Sequence, residues 1–192
     1  ILVLIGYKIS QIIIEFNSPL IPKINTNQFT LPVETPTETN LRWNHFPLTV
    51  YIDKDFVSQK NPRYIDNFKQ ALDIWQSSTN NLVSFKEVNQ PEADIVVRWV
   101  TSLKEKSLDT LGHTDIHFIN ISGFQVIKKT DVQLLTKSDS RQLTEIDMTN
   151  LVLHEIGHGL GLSHVENQNS IMYPILVVPL EKIKTISNEE IQ

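Results

Sequence analysis

The 192-residue chain contains no cysteine, which excludes a disulfide framework, a thiolate metal site and a cysteine nucleophile. Basic charge is not in excess: 17 lysines and arginines stand against 22 acids, a formal net charge of −5. Nothing electrostatic therefore points to nucleic acid or to an anionic membrane surface. An unbroken run of about 20 apolar residues is also lacking. The most apolar stretch, Ile1–Phe16, is interrupted by Lys8, Ser10, Gln11 and Glu15, so no membrane span is expected. No internal repeat is visible. Glycine is scarce, and three of the 6 glycines (Gly157, Gly159 and Gly161) cluster in one short stretch. What is present, 40% hydrophobic and 20% charged residues, describes an ordinary globular protein with enough apolar material for a core. The length suits one domain with a modest extension.

Ile1–Phe16 reads either as the remnant of a signal sequence or as an apolar strand or short helix. Residues 17–40 carry Pro19, Pro22, Pro32 and Pro36 among Thr, Asn and Ser. That density breaks helices and removes sheet donors, so a linker is expected there. The folded domain is expected over 41–192. Ser187-Asn188-Glu189-Glu190 reads as a helix start, with Ser187 as N-cap and Glu190 at the capping-box position; because the chain stops at Gln192, the expectation is a C-terminal helix cut short.

Within the domain, Leu48, Val50 and Ile52 alternate with Thr49 and Tyr51 as in a half-buried strand. Asn61-Pro62 opens a helix to about Ser78, with Ile65, Phe68, Leu72 and Trp75 on one face. Leu82–Val88 alternates as a strand, and Asp94–Val100 is a nearly continuous apolar run that suits a central strand. Gly112–Thr136 is read as containing two short strands, Phe124–Ile127 and Asp131–Thr136, joined at Lys128-Lys129-Thr130. The polar stretch 137–147 then leads into a helix from about Met148 to Leu160.

The chemistry is concentrated in His154-Glu155-Ile156-Gly157-His158-Gly159-Leu160-Gly161-Leu162-Ser163-His164. Histidines four apart project from one face of a helix, one turn apart. Both rings can therefore reach a single zinc ion at about 2.0–2.1 Å. Glu155 lies beside the first ring without being forced onto the metal. Gly161 can adopt left-handed backbone and end the helix, so that the chain turns and delivers His164 as a third ligand. Three neutral imidazoles leave a fourth position open, as a catalytic zinc site does and a closed structural one does not. A bare His-Glu-x-x-His arises by chance in roughly one such chain in a hundred, and the added glycine and third histidine lower that to about one in a hundred thousand. A solvated polar helix face is thus a poor account, and Leu151, Val152, Leu153 and Ile156 make the helix apolar enough to be central.

The segment 154–164 resembles the His-Glu-x-x-His-x-x-Gly-x-x-His signature of the metzincin zinc endopeptidases. Ser170-Ile171-Met172-Tyr173-Pro174 resembles the methionine turn of the matrixins, the matrix-metalloproteinase family (peptidase family M10). Asn81–Val88, Ala93-Asp94-Ile95, Thr149-Asn150-Leu151 and Ser187–Gln192 are further similarities, so the resemblance covers about 41–192. It implies an α+β fold: a twisted mixed sheet, two long helices including a zinc helix at 148–160, and a small irregular C-terminal part with the methionine turn. It also implies one catalytic Zn²⁺ on His154, His158 and His164, Glu155 as general base, and Met172 as an apolar floor. Tyr173 would either line the pocket for the side chain after the scissile bond or simply pack beneath the site. Of the residues with which matrixins hold a structural zinc and calcium, only Leu111-Gly112-His113-Thr114 has a counterpart. Structural Zn²⁺ or Ca²⁺ is therefore not expected, and His113, Asp115 and His117 read as structural or surface residues. Val165 stands where matrixins favour serine, and without cysteine the cysteine-switch latency of the animal enzymes is unavailable.

The expected activity is zinc-dependent hydrolysis of internal peptide bonds in a protein or peptide substrate, by a secreted monomer that engages neither nucleic acid nor membrane. An extended substrate would pair with an edge strand, placed at Asp131–Thr136. Two rival readings stand beside this one. The first is a non-catalytic module that binds zinc and peptides. The second is a gluzincin-type peptidase with Glu181 as third ligand, which needs a second helix where Pro174, Pro179 and the apolar run 175–178 oppose one.

Overall fold

The computed structural model describes residues 2–7, 41–103, 110–138, 141–187 and 190–191. In chain order its elements are β1 (Leu2–Tyr7), β2 (Leu41–Arg42), β3 (Leu48–Ile52), α1 (Asp55–Lys60), α2 (Arg63–Ser78), β4 (Phe85–Val88), β5 (Ile95–Val100), β6 (Thr110–Ile121), β7 (Phe124–Leu135), β8 (Lys137–Ser138), β9 (Arg141–Gln142), α3 (Glu145–Gly159) and β10 (Ile175–Val177). The main sheet runs β10-β1-β6-β7-β5-β3-β4, and β2 pairs with β7. Strands β3, β4, β5 and β7 are mutually parallel where they pair, and β6 returns antiparallel to β7. The architecture is the mixed α+β arrangement expected.

Alternation in β3 buries Leu48, Val50 and Ile52. Central β5 buries Ile95, Val96 and Val97 in succession, as a strand enclosed on both faces does. Helix α2 turns Tyr64, Phe68, Ala71 and Trp75 inward, where they meet Leu151, Leu153 and Ile156 of α3 in one core. Each such large side chain contributes about 1.5–3 kcal/mol by leaving water. The polar tips are matched too: the Trp75 indole donates to the Leu153 carbonyl at 3.0 Å, and the Tyr64 hydroxyl to that of Leu143 at 2.5 Å. These bonds fix α3 against α2 in position as well as in area.

Several expectations need correction. The segment 124–136 is not two short strands but one long strand, β7, and its reversal from β6 lies at Ser122-Gly123, both at positive φ (49° and 86°). Lys128-Lys129-Thr130 lies within β7; a register shift falls opposite it between His117 and Phe118, and Lys129 pairs with Asp131 at 3.2 Å. Because β7 has β5 on one side and β6 on the other, Asp131–Thr136 is interior to the sheet and is not an edge. The short helix α1 was not expected, and β4 begins at Phe85, later than the Leu82 read from alternation. Helix α3 starts at Glu145, about three residues before the expected Met148. Leu2–Tyr7 forms a strand, one of the alternatives left open for that stretch. The linker expected at 17–40 lies outside the described residues.

Candidate metal centre and active site

The start of α3 is set by a reciprocal cap. Thr144 Oγ1 accepts from the Asp147 amide at 3.1 Å while Asp147 Oδ2 accepts from the Thr144 amide at 3.0 Å, a capping box with Asp in place of Glu. The end of α3 is set by glycine. Gly161 has φ +103°, its amide donates to His158, and the Leu162 amide donates to Gly157 at 3.0 Å, the paired bonds of a Schellman ending. A side chain at 161 would strike the Leu41 carbonyl, 2.5 Å from an ideal Cβ. The Trp43 indole donates to the Gly159 carbonyl at 2.8 Å, so the segment entering the domain clips the end of this helix.

The turn at Gly161 brings His164 back to His154 and His158. The three Nε2 atoms lie 3.0, 3.1 and 3.2 Å apart. For two of the rings the other nitrogen makes Nε2 the lone-pair side. His154 Nδ1 donates to the Ile171 carbonyl at 2.7 Å and His158 Nδ1 to the Leu162 carbonyl at 2.8 Å, so in the neutral rings Nε2 carries no proton. Burial drives His154 down to about 3 and His164 to about 4, and holds His158 well below its usual value. Nitrogens bound at about 2.0–2.1 Å to one tetrahedral zinc stand about 3.3 Å apart, close to the spacing found. Neutral, oriented and crowded lone pairs of this kind fit a cation. Among the described residues this is the one group of histidine and acidic side chains placed to hold a metal ion.

Glu155 is fully buried beside them. Its Oε2 accepts from the Thr114 hydroxyl at 2.5 Å, and its Oε1 has no hydrogen-bond partner. Burial pushes this carboxyl up to about 8, with the Thr114 hydroxyl pulling the other way; a dication nearby would favour the ionised form.

Met172 is buried under α3, and a side chain on Gly157 would overlap it, with Met172 Cε 3.2 Å from an ideal Cβ. The 170–173 turn is anchored from the C-terminal side. Glu190 Oε1 accepts from the Ser170 hydroxyl and from the Met172 amide, the latter at 3.2 Å, while Glu190 Oε2 accepts from the Ser187 amide at 2.6 Å. That last bond is half of the capping box read from the sequence. Asn188 and Glu189 lie outside the described residues. After β10 the chain is stitched to the start of α3: Asp147 Oδ1 accepts from the Leu180 amide and Asn150 Oδ1 from the Lys184 amide, each at 2.7 Å. A cavity of about 660 Å³ opens along this 179–185 loop.

The structure thus brings His154, His158, His164 and Glu155 together, with Met172 buried against Gly157 of α3 and Tyr173 half-buried after it. Glu181 is exposed on the 179–185 loop, away from the histidines, and β10 occupies part of the stretch where a second helix would be needed; the gluzincin-type ligand set is not formed. His113 is buried and bonded to Asp115 at 3.1 Å, and exposed His117 pairs with Asp131 at 3.2 Å. Sequence reasoning missed the supporting roles of Thr114, Gly112 and Glu190, all distant in the chain from the residues they touch. The half-matched Leu111–Thr114 motif was the only signal for the first two.

A family model described as matrixin matches residues 42–192. Human matrix metalloproteinase-26 is 31% identical over 139 residues, 69% of this chain and 50% of that protein. Rat stromelysin-1 is 27% identical over 56% of this chain and 22% of its own length. The metalloendoproteinase 1-MMP of Arabidopsis thaliana is 26% identical over 74% of this chain and 40% of its own. The chain spans half or less of the length of these curated relatives.

Proposed function

The chain belongs to the matrixin family, and from that premise we propose that it is a zinc-dependent endopeptidase with His154, His158 and His164 as ligands and Glu155 as general base. The observation that carries this reading is the convergence of three neutral imidazoles at their Nε2 atoms, within 3.2 Å of one another, beside a buried carboxyl. When bound, the zinc ion supplies Lewis acidity toward a peptide carbonyl and makes a water more acidic. The protein's own groups do the rest. The Ile171 and Leu162 carbonyls hold the His154 and His158 rings in one tautomer and one orientation. Glu155 takes the water proton and returns it to the departing amine. Met172 offers no chemistry and gives the histidines an apolar support.

An extended peptide would enter by strand addition along the outer edge of β6. This slot, between β6 and β10, accepts an extended chain, because β1 lies in it, parallel to β6 and antiparallel to β10. Gly6 and Tyr7 stand opposite His113 and Thr114, next to the Glu155 support. On this reading β1 and a substrate compete for one edge. A secreted location belongs to the same proposal and rests on the family alone. The test is elemental analysis together with turnover of a fluorogenic peptide library. One zinc per chain, with cleavage abolished in Glu155→Gln and zinc retained, is expected; full activity in that variant would remove the assigned base.

A further inference from the structure

On one face of β6, two positions meet the Glu155 side chain. Residues 112 and 114 are two apart, so both project toward α3, while His113 and Asp115 bond to each other on the opposite face. Thr114 is buried, and its hydroxyl lies 2.5 Å from Glu155 Oε2 and 3.1 Å from the Glu155 backbone carbonyl. A hydroxyl has one proton to donate, and the shorter contact, to the ionisable carboxyl, takes it. Gly112 supplies room. An ideal Cβ there would lie 2.7 Å from Glu155 Cδ and 2.8 Å from Cγ, so any side chain at 112 displaces the carboxyl. Strand pairing sets the register of both positions. Gly112 and Thr114 pair with Leu134 and Val132 of β7 on one side, and Thr114 pairs with Tyr7 of β1 on the other.

We infer that β6 is the positioning strand for the general base: the Thr114 hydroxyl holds Glu155 Oε2, and the bare α-carbon of Gly112 leaves the space in which Oε1 stands without a partner. This rests on the peptidase reading above. The two oxygens thereby acquire different tasks. Oε2 is pinned by a fixed donor, and Oε1 is left as the oxygen that exchanges protons with water and leaving amine. Thr114 acts through Glu155 and not on substrate, and Gly112 acts by what it lacks.

The test compares Thr114→Val, Thr114→Ser and Gly112→Ala in the full, zinc-loaded chain, with Glu155→Gln as reference. Thr114→Val keeps the shape and removes the donor; kcat should fall about 10- to 100-fold with KM nearly unchanged and one zinc per chain retained. Thr114→Ser restores the donor and should recover most of kcat. Gly112→Ala should also lower kcat with zinc retained, and crystal structures of metal-free Gly112→Ala and Thr114→Val should show the Glu155 carboxyl moved from its place in the parent. A Thr114→Val enzyme with unaltered kcat, a serine variant as slow as the valine one, or loss of zinc from Thr114→Val would each overturn the inference. The outcomes separate from those of the underlying reading: Glu155→Gln inactive with Thr114→Val fully active removes only the positioning role, whereas Glu155→Gln fully active removes the base itself.

Discussion

The three imidazoles and the neighbouring carboxyl are held by different kinds of partner. Two of the rings are oriented by main-chain carbonyls, at Ile171 and Leu162, which no point substitution deletes. Glu155 is oriented by one side-chain hydroxyl, on a strand 41 residues earlier. On the proposed reading, the orientation of two metal-binding rings is written into the path of the backbone, and that of the proton-handling carboxyl into a single side chain. Substituting Ile171 or Leu162 should therefore leave those two ring orientations in place, whereas loss of the Thr114 hydroxyl should release the carboxyl.

The largest contrast should come from His164→Ala against Glu155→Gln. The first removes a proposed ligand, so zinc content measured by elemental analysis should drop far below one per chain and peptide turnover should fall to background. The second should keep its zinc while losing about 10²–10⁴ in rate. Equal loss of metal in both would erase the distinction between metal binding and proton handling.

Acidity sharpens the contrast. In the metal-free protein the buried histidines have folded values of about 3 and about 4, against 6.5 in an open chain. Their contribution is complete above 6.5 and is lost as the pH falls through those folded values. Glu155 has the opposite sign: raised to about 8 from 4.5, it contributes fully below 4.5 and loses that contribution as the pH rises through 8. The Tm of chelator-treated protein should therefore decline from pH 6.5 to 8, where only the Glu155 effect remains, and also at low pH. Zinc should flatten the upper decline, and Glu155→Gln should abolish it. A metal-free Tm that is constant from pH 6.5 to 8 would contradict the burial of an ionisable group there.

Smaller effects test the supports. Gly157→Ala forces a methyl group against Met172 and should cost about 1–3 kcal/mol, as overpacking does, read as a lowered Tm with the ligand set intact. Leu4→Pro removes an amide from β1 and disfavours its pairing; a few-fold fall in KM for peptide substrates is expected if β1 and substrate share the β6 edge, and an unchanged KM would separate them.

The same division explains what could be read from the sequence. The histidine spacing, the helix-ending Gly161 and the apolar positions of α3 are local relations, fixed by 3.6-residue periodicity and by the backbone freedom of glycine, and they were legible. The hairpin was not. Lys128-Lys129-Thr130 has turn-like composition, yet those residues are tolerated within a strand by a register shift opposite and by the Lys129–Asp131 ion pair. The true reversal needs only Ser122-Gly123, a two-residue turn with positive φ at both positions. Helix α1, six residues long, is too short to establish a period. Misplacing the hairpin also misplaced the edge strand. The Thr114–Glu155 and Glu190–Met172 contacts join segments far apart in the chain, and no spacing rule in one sequence encodes them.

The loop after β10 has a consequence of its own. Its two ends are bolted to the first turns of α3, Leu180 to Asp147 and Lys184 to Asn150, and Lys184 Nζ also reaches the Ser170 carbonyl at 2.9 Å. Between those bolts Ile183 packs against the core and the Lys182 carbonyl accepts from Asn150 at 3.1 Å, while the Glu181 and Lys182 side chains are exposed. Those two side chains form an exchangeable pair: drift there can remodel the walls of the adjoining cavity while the fasteners keep the loop on α3.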